Sequence, residues 1–255
     1  GEQIAFIIER VEKILLREEA DVVLVQGNNN STVGSAIACI GVGVQVGHIE
    51  AGVRHDYTLG DTNRRVVERV ASFCFAPFAI AAENLRREGV ETKKILLVGD
   101  TYMDALLHYS KRILNSNIIE TIGTEGRDII TISVHTGLHR SGEFLGELLT
   151  KLLALEEFVF VWAVHPSIHE KVSMLYSQFK DLPKKNVVLL PSVLYTDFQK
   201  LLSSSRLVIT DSGVTQEEAF LNSKPCIALV DNEVRSSPYP MLVESGWINV
   251  LDDLD

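Results

Sequence analysis

The sequence predicts an α/β protein made of two doubly wound, Rossmann-like domains. Strand patterns alternate with helix patterns along the whole chain, and most strands are apolar throughout, as in parallel sheets covered on both faces. A polar segment with glycines, residues 115–126, separates two such alternations and is typical of a linker. We therefore predict an N-terminal domain over residues 1–120 and a C-terminal domain over residues 127–255.

The first alternation opens with an amphipathic helix pattern, whose apolar residues are Ile4, Phe6, Ile7, Val11, Ile14 and Leu15. Strands are predicted at 21–27, 44–49, 72–75 and 95–98, with helices at 32–39, from Arg64 onward and at 81–88. The first two strands read as buried on both faces. Because the leading helix has no strand before it, we expect roughly 60–100 residues of an N-terminal unit to be missing, by usual domain sizes. A naturally short first domain is the alternative.

The second alternation is longer and has the strand count of a complete doubly wound sheet. Its strands are predicted at 129–134, 159–164, 187–190, 207–210, 226–229 and 248–251. Helices are predicted between them at 144–155, 169–179, 196–203 and 216–221.

Composition excludes several classes of protein. The chain has 255 residues, and 46% hydrophobic with 23% charged residues is usual for a globular protein. A formal charge of −10 without a basic block argues against nucleic-acid binding. No apolar run reaches the roughly 20 residues of a membrane helix, and the start lacks a signal-peptide pattern. The cysteines, Cys39, Cys74 and Cys226, are far apart and without metal-type pairing, which favours buried thiols and a cytoplasmic location.

The most informative strand end is Asp211-Ser-Gly213, where a strand passes into a helix. Free backbone N–H groups and the helix dipole at such a point suit a phosphate or diphosphate. Glu217 and Glu218, one turn further on, are placed to accept hydrogen bonds from ribose hydroxyls. An ordinary helix cap followed by acidic first-turn residues is the alternative interpretation.

Three other strand ends carry candidate groups. Glu50 follows an apolar strand, and a glutamate there can act as an acid or base whose pKa burial adjusts. His135 is a candidate acid, base or hydrogen-bond donor to a phosphate. His165 is a candidate for the same cleft or a turn residue satisfied by backbone. Dinucleotide-binding, P-loop and hydrolase-elbow motifs are absent from the sequence.

Together these motifs resemble a known family. Val46-Gly-His-Ile-Glu-Ala-Gly-Val-Arg54, Asn63-Arg64, Val98-Gly-Asp-Thr-Tyr-Met-Asp-Ala-Leu106, Thr210-Asp-Ser-Gly-Val-Thr-Gln-Glu-Glu-Ala219 and Lys224-Pro225 occur in this order. They resemble the non-hydrolysing UDP-N-acetylglucosamine 2-epimerases, which have two-domain GT-B architecture. The resemblance implies interconversion of UDP-GlcNAc and UDP-ManNAc by elimination and re-addition of UDP, without NAD or any other cofactor or metal. It also implies a homodimer formed through the first domain.

The same resemblance implies roles for individual residues. Glu50 matches a catalytic glutamate, and His135 a histidine near the diphosphate. The implied substrate contacts are Arg64 near the sugar, Phe198 beside the uracil, Ser212 and Gly213 at the diphosphate, Glu218 at the ribose, and Arg235 at the nucleotide. Asn28 and His165 are further candidates for substrate contacts, and Asp61 for a second acid or base.

Departures from the family pattern are concentrated on the sugar side. Asn28 stands where the family has a catalytic aspartate, and an amide is no acid or base at neutral pH. The family's Pro-Glu-Glu is Leu59-Gly60-Asp61 here, Thr136 follows His135 in place of arginine, and Val214 replaces a glycine. Arg235 is kept, but Ser236-Ser-Pro238 follows it. Two alternatives to an epimerase therefore stay open: an inactive UDP-sugar binder, and another GT-B enzyme such as a glycosyltransferase or hydrolysing epimerase.

Overall fold

The structure, a computed structural model, describes residues 1–54, 59–124, 126–134, 141–179, 186–229 and 240–251. It divides into two compact units, Gly1–Thr101 and Tyr102–Asp255, each with one parallel β-sheet. The predicted α/β fold with two parallel-sheet domains is confirmed, and so are the four and six strands. The predicted linker boundary between residues 120 and 127 stays a prediction.

The sheet of the first unit has the order β1-β2-β3-β4, all parallel. Its strands are β1 (Val22–Gln26), β2 (Gln45–Ile49), β3 (Phe73–Ala76) and β4 (Ile95–Leu97). Its helices are α1 (Glu2–Glu18), α2 (Asn30–Val42), α3 (Leu59–Val70) and α4 (Ala79–Arg87).

Helix α1 packs most extensively against α2. The two backbones come close at Gly34, where an added Cβ would lie 2.7 Å from Ile7 Cγ2. Asn29 caps α2, since its Oδ1 accepts from the Thr32 amide at 3.0 Å. A glycine inside α2 is therefore explained by close helix packing, despite its low helix propensity.

The prediction that β1 is buried on both faces is wrong. Val25 packs in the core of the first unit, but Leu24, on the opposite face, is 59% exposed. Strand β1 pairs only with β2 among the described strands, so it is an edge strand. An apolar run shows that a strand is compatible with burial, whereas the elements that cover it decide the burial.

The second unit has the strand order β10-β9-β8-β5-β6-β7, all parallel. Its strands are β5 (Asp128–Ser133), β6 (Phe158–Ala163), β7 (Val187–Leu190), β8 (Leu207–Thr210), β9 (Cys226–Leu229) and β10 (Ile248–Leu251). This is the doubly wound order, in which the direction of strand addition reverses between β5 and β8. Ligands of such sheets bind beyond the carboxyl ends of the strands at that point.

Its helices are α5 (Thr101–Leu114), α6 (Ile118–Ile122), α7 (Gly142–Ala154), α8 (His169–Gln178), α9 (Tyr195–Ser204), α10 (Gly213–Leu221) and α11 (Pro240–Glu244). The sequence analysis did not predict α5, α6 or α11, and it began α3 five residues late. Helix α6 lies inside the predicted linker, where Ile118, Ile119 and Ile122 pack on a core cluster of this unit. The polar residues and glycines on either side of this short apolar helix are typical of a loop, so the sequence did not predict it.

All three cysteines are free and buried, as expected. No helix among the described residues is long and apolar enough to cross a membrane.

Candidate functional site

Polar side chains gather at the carboxyl ends of strands in both units, and each cluster lies within its own unit. The cluster of the first unit surrounds Glu50, directly after β2. Glu50 Oε1 accepts from Gln26 Nε2 at 2.7 Å, and its Oε2 lies 3.7 Å from Arg64 Nη2. Gln26 ends β1 and pairs with Ile49 in register, so the parallel sheet itself brings Gln26 beside Glu50. The Glu50 side chain is 16% exposed, which leaves it sheltered but reachable.

The backbone at Glu50 is in the left-handed region, with φ at 63°. That conformation costs a non-glycine residue on the order of 1 kcal/mol, so neighbouring contacts must hold it. Gly52 follows with φ at 83°, and its amide donates to Glu68 Oε1 at 2.6 Å. A Cβ on Gly52 would lie 2.1 Å from the carbonyl oxygen of Ala81, so only glycine fits. Arg64 Nη1 donates to the Val53 carbonyl at 2.8 Å and closes the turn.

A buried ion-pair network fixes this turn to α3 and α4. The guanidinium of Arg54 donates to both carboxylate oxygens of Glu68, and also to both of Glu88 at 2.9 and 2.8 Å. Burial raises the pKa of Glu68, and its bonds to Arg54 oppose that rise. Burial would lower the pKa of Arg54, but the carboxylates of Glu88 and Glu68 outweigh it and raise that pKa. The network therefore holds the backbone around Glu50.

Asp61, the candidate second acid or base, lies in the first turn of α3 and is buried. Its Oδ2 accepts from Arg65 Nε at 2.8 Å, and its Oδ1 lies 3.9 Å from Arg54 Nε. Two guanidinium groups thus lie beside this carboxylate. Its catalytic role stays a prediction.

Asn28 and Gly60, at two of the positions where the sequence analysis expects departures from the family pattern, lie against each other. An added Cβ on Gly60 would be 2.5 Å from Asn28 Nδ2 and 3.0 Å from its Cγ. The Asn28 carbonyl also accepts from Asn63 Nδ2 at 3.1 Å. The Asn28 side chain therefore occupies space that Gly60 leaves open.

His48 links the loop after β1 to β2. It is fully buried, and one ring nitrogen, Nε2, bonds to the Gly27 carbonyl at 2.8 Å. Because a carbonyl only accepts, Nε2 carries the hydrogen. Burial, with Arg64 and Arg54 nearby, lowers the pKa of His48 to about 4, so the ring is neutral at neutral pH. This histidine holds the Gly27–Asn28 loop and does not face solvent.

The cluster of the second unit begins at the junction of β5 and β8. Thr210 Oγ1 donates to the Ser133 carbonyl at 2.7 Å and accepts from the Ser212 amide at 3.0 Å. Ser212 in turn caps α10, because its Oγ accepts from the Thr215 amide at 3.4 Å. The cap and the Thr210 hydroxyl use the amides of Thr215 and Ser212. The amides of Gly213 and Val214, also in the first turn of α10, take part in neither of these two bonds. They suit an anion at the start of the helix.

Glu218 lies one turn into α10 and is 7% exposed. Its Oε1 accepts from Gln199 Nε2, on α9, at 2.7 Å. Burial raises the pKa of Glu218 to about 7, and the bond from Gln199 opposes that rise. Glu217, beside it, is also buried.

The other predicted residues of this unit have structural contacts. Exposed His165 follows β6 and caps a short 3₁₀ turn, since its Nδ1 accepts from the Ser167 amide at 3.2 Å. Phe198, half-buried on α9, packs against the core cluster that contains Leu202 and Val208. Their substrate contacts stay predictions. His135 and Arg235 lie outside the described residues.

Sequence reasoning missed Gln26, Gln199, Asn222, Thr210 and the Arg54–Glu68–Glu88 network. Gln26 and Thr210 carried a signal, because each ends a strand whose neighbour in the sheet also ends at the site. The others depend on helix packing. Within the described ranges, no group of three or more His, Cys, Asp and Glu side chains could hold a metal ion.

Two parallel α/β units, one with the doubly wound order and a polar switch point, define a protein of the GT-B-like class. The family model of UDP-N-acetylglucosamine 2-epimerase matches residues 1–243. The chain therefore belongs to the UDP-N-acetylglucosamine 2-epimerase family.

Named relatives agree with this assignment. The UDP-N-acetylglucosamine 2-epimerase of Methanococcus maripaludis is 32% identical over 245 residues, covering 92% of this chain and 67% of that protein. The crystal structure of Methanocaldococcus jannaschii UDP-GlcNAc 2-epimerase in complex with UDP-GlcNAc and UDP matches with a TM-score of 0.83 and 30% identity, over 98% of this chain and 70% of that chain. The Neisseria meningitidis UDP-GlcNAc 2-epimerase bound to UDP-GlcNAc also gives 0.83, with 26% identity over 96% and 68%.

Proposed function

We propose that the protein is a UDP-GlcNAc 2-epimerase, which interconverts UDP-GlcNAc and UDP-ManNAc. The observation that carries the proposal is the placement of Glu50, sheltered at the end of β2 with Gln26 and Arg64 on its carboxylate. A glutamate in this setting can take up and return a proton. The named relatives are 2-epimerases, which favours this activity over a glycosyltransferase or a hydrolysing epimerase.

The reaction requires a proton to leave C2 while the bond between C1 and the UDP oxygen breaks, which gives 2-acetamidoglucal and UDP. Re-addition of UDP and protonation of C2 on the other face give the epimer. Glu50 is the proposed acid or base on one face. Asn28 cannot transfer a proton, so Asp61 and His135 are the proposed candidates for the remaining proton transfer and for the leaving diphosphate.

The second unit is proposed to hold the nucleotide. The amides of Gly213 and Val214, at the positive end of the α10 dipole, suit the diphosphate. The buried carboxylate of Glu218 suits the ribose hydroxyls, since a charged acceptor gives the stronger hydrogen bonds. Ser212, His165, Phe198 and Arg235 in this unit, with Asn28 and Arg64 in the first, complete the proposed substrate contacts. A homodimer in the cytoplasm, with no cofactor, is part of the same proposal.

The deciding experiment is incubation of the protein with UDP-GlcNAc in heavy water, with the C2 position followed by NMR. Deuterium at C2 and the appearance of UDP-ManNAc are the expected result. The variant Glu50→Gln should lose both while UDP binding persists, and Glu91→Gln, on an exposed turn, serves as the matched control. UDP binding without any exchange at C2 would instead identify an inactive UDP-sugar binder.

A further inference from the structure

A chain of amide hydrogen bonds lies behind Glu218. Gln199, on α9, is 1% exposed, and its Nε2 donates to Glu218 Oε1 at 2.7 Å. Its Oε1 accepts from Asn222 Nδ2 at 2.8 Å. The same Asn222 nitrogen donates to the backbone carbonyl of Glu218 at 2.9 Å. Three side chains from two helices thus form one connected network.

The direction of every bond in this network is determined. A backbone carbonyl only accepts, so the Asn222 group that contacts it must be the NH₂. That NH₂ can only donate to Gln199, so the Gln199 oxygen faces Asn222 and its NH₂ faces Glu218. The backbone carbonyl of Glu218 therefore determines the orientation of both amides. Gln199 donates to the side-chain carboxylate of Glu218, which must accept.

We propose that Gln199 is a positioning residue for the nucleotide: it holds the Glu218 side chain as an accepting carboxylate, with Oε1 fixed and Oε2 left for a ribose hydroxyl. This inference rests on the proposed function, since it concerns the ribose contact of the same site. A carboxylate that is fixed before the ligand arrives does not have to be ordered on binding, which lowers the entropic cost of association.

The surroundings of Glu218 give little other support to its charge. Helix α9 carries Tyr195, whose pKa is raised by burial and by Glu218 and Tyr109. Asp197 and Lys200 on the same helix bond elsewhere, to Ser116 and to the Leu114 carbonyl. Strand β8 has no titratable side chain, and β9 has only Cys226, whose pKa burial raises to about 12. Helix α10 adds Glu217, a like charge. In the described part of the chain, Gln199 is therefore the group that lowers the pKa of Glu218.

The test is the affinity for UDP, measured by calorimetry between about pH 6 and pH 9 for wild type, Gln199→Met and Glu218→Gln. Methionine keeps the length of glutamine but cannot donate. Lys200→Met is the matched control, because it also introduces methionine, at the next position of α9. The Lys200 side chain bonds to the Leu114 carbonyl and not to Glu218. Asn222→Ala removes both hydrogen bonds of Asn222 but keeps the bond from Gln199 to Glu218, and it serves as a second variant should Gln199→Met fold poorly.

For Gln199→Met we expect about tenfold weaker UDP binding near pH 7, the usual effect of losing a hydrogen bond to a charged group. The pH below which binding weakens should rise by about one unit. The difference in UDP affinity between the variant and wild type should become smaller towards pH 9, where Glu218 is ionised in both proteins. Asn222→Ala should change binding in the same direction but less, and Lys200→Met should match wild type. Glu218→Gln should lose the part of the pH dependence that wild type owes to Glu218.

Folded Gln199→Met that binds UDP as wild type does, or with a loss equal at every pH, would overturn the inference, since a general packing defect gives a uniform loss. An unchanged pH profile in folded Asn222→Ala would count equally against it. Failure of wild type to bind UDP would instead refute the proposed function.

Discussion

Glu50 illustrates how single residues near the site are held against their own preferences. Its left-handed backbone is maintained by Gly52, Arg64 and Glu68, and its carboxylate is oriented by Gln26. The sequence identified Glu50 as a candidate, but it contained no information on this conformation. Strain of this kind is retained where the surrounding contacts determine one geometry.

Replacement of Gln26 tests the orientation of Glu50. Gln26→Leu removes the donor to Oε1, so exchange at C2 of UDP-GlcNAc should fall about tenfold, while UDP affinity stays unchanged. The control is Gln45→Leu, an exposed glutamine at the other end of the same sheet. Unchanged exchange in Gln26→Leu, measured by NMR in heavy water, would show that Arg64 alone suffices to orient Glu50.

Gly60 gives a second prediction about single residues. In Gly60→Ala the new Cβ would lie 2.5 Å from Asn28 Nδ2, so Asn28 must move, at a cost of about 1 kcal/mol. With Asn28→Ala the clash disappears, and alanine should then stabilise α3 by up to about 1 kcal/mol. Hydrogen exchange of the α3 amides measures the effect of Gly60→Ala in both backgrounds. Gly146→Ala is the control, because nothing lies within 4 Å of a Cβ added there. Equal effects in both backgrounds would disprove the contact.

Elements meet the site through buried polar groups as well as apolar packing. Arg54 joins the turn after β2 to α3 and α4 by its bonds to Glu68 and Glu88. In the second unit, Thr210 joins the ends of β5 and β8 to the start of α10. Both groups bind elements that are distant in sequence, so each connection exists only in the folded chain.

Arg54→Met should destabilise the first unit by about 3 kcal/mol or more, because it leaves the buried carboxylate of Glu68 without the guanidinium that binds it. Glu88 is 24% exposed and keeps an ion pair with Arg65 at 3.0 Å, so its part in the loss should be small. Arg87→Met, at an exposed ion pair with Glu83, should cost about 0–1 kcal/mol. Hydrogen exchange of β2 and α3 amides reports the difference. Similar losses in the two variants would mean that the buried network contributes no more than a surface pair.

Thr210→Val should lower the stability of the second unit by about 1–3 kcal/mol, because the Ser212 amide loses its acceptor. UDP affinity should fall with it, while Thr210→Ser retains the hydroxyl and both properties. Thr150→Val, at an exposed hydroxyl bonded to the Gly146 carbonyl on α7, is the control. Unfolding in urea followed by tryptophan fluorescence is suitable, because Trp162 and Trp247 both lie in this unit. A valine variant as stable as the serine variant would contradict the assigned role.

For the molecule without ligand, a prediction about pH follows from Glu218, whose pKa is raised from 4.5 to about 7. As pH rises through this window, the unfolded chain ionises Glu218 first, so stability decreases and levels off above about pH 7. The full difference is about 3 kcal/mol by the linkage relation. Tryptophan-monitored unfolding near pH 5 and pH 8 should show this loss in wild type and less of it in Glu218→Gln. An identical loss in both would assign the effect to other groups.

The sequence predicted the α/β class, two parallel sheets, all ten strands and most helices, because apolar runs and their spacing are local properties of the chain. It also selected Glu50, Gly213 and Glu218, since the carboxyl ends of parallel strands are where polar residues meet ligands, whereas Arg64 was selected only through the family resemblance. The sequence analysis missed α5, α6 and α11. Its prediction that β1 is buried on both faces was wrong, because the exposure of a strand depends on the elements that cover it. Motif resemblance supplied the family, which the comparisons then showed.

What the sequence by itself determined is which groups stand at which strand ends. Only the tertiary structure decided which of them are neighbours: Gln26 with Glu50, Asn28 with Gly60, Arg54 with Glu68 and Glu88, Gln199 with Glu218. The physical reason is that hydrogen bonds and ion pairs act over about 3–4 Å, whereas these partners are separated along the chain by many residues. Strand register and the packing of helices on the sheets set those short distances, and with them the charge state of Glu218 and His48.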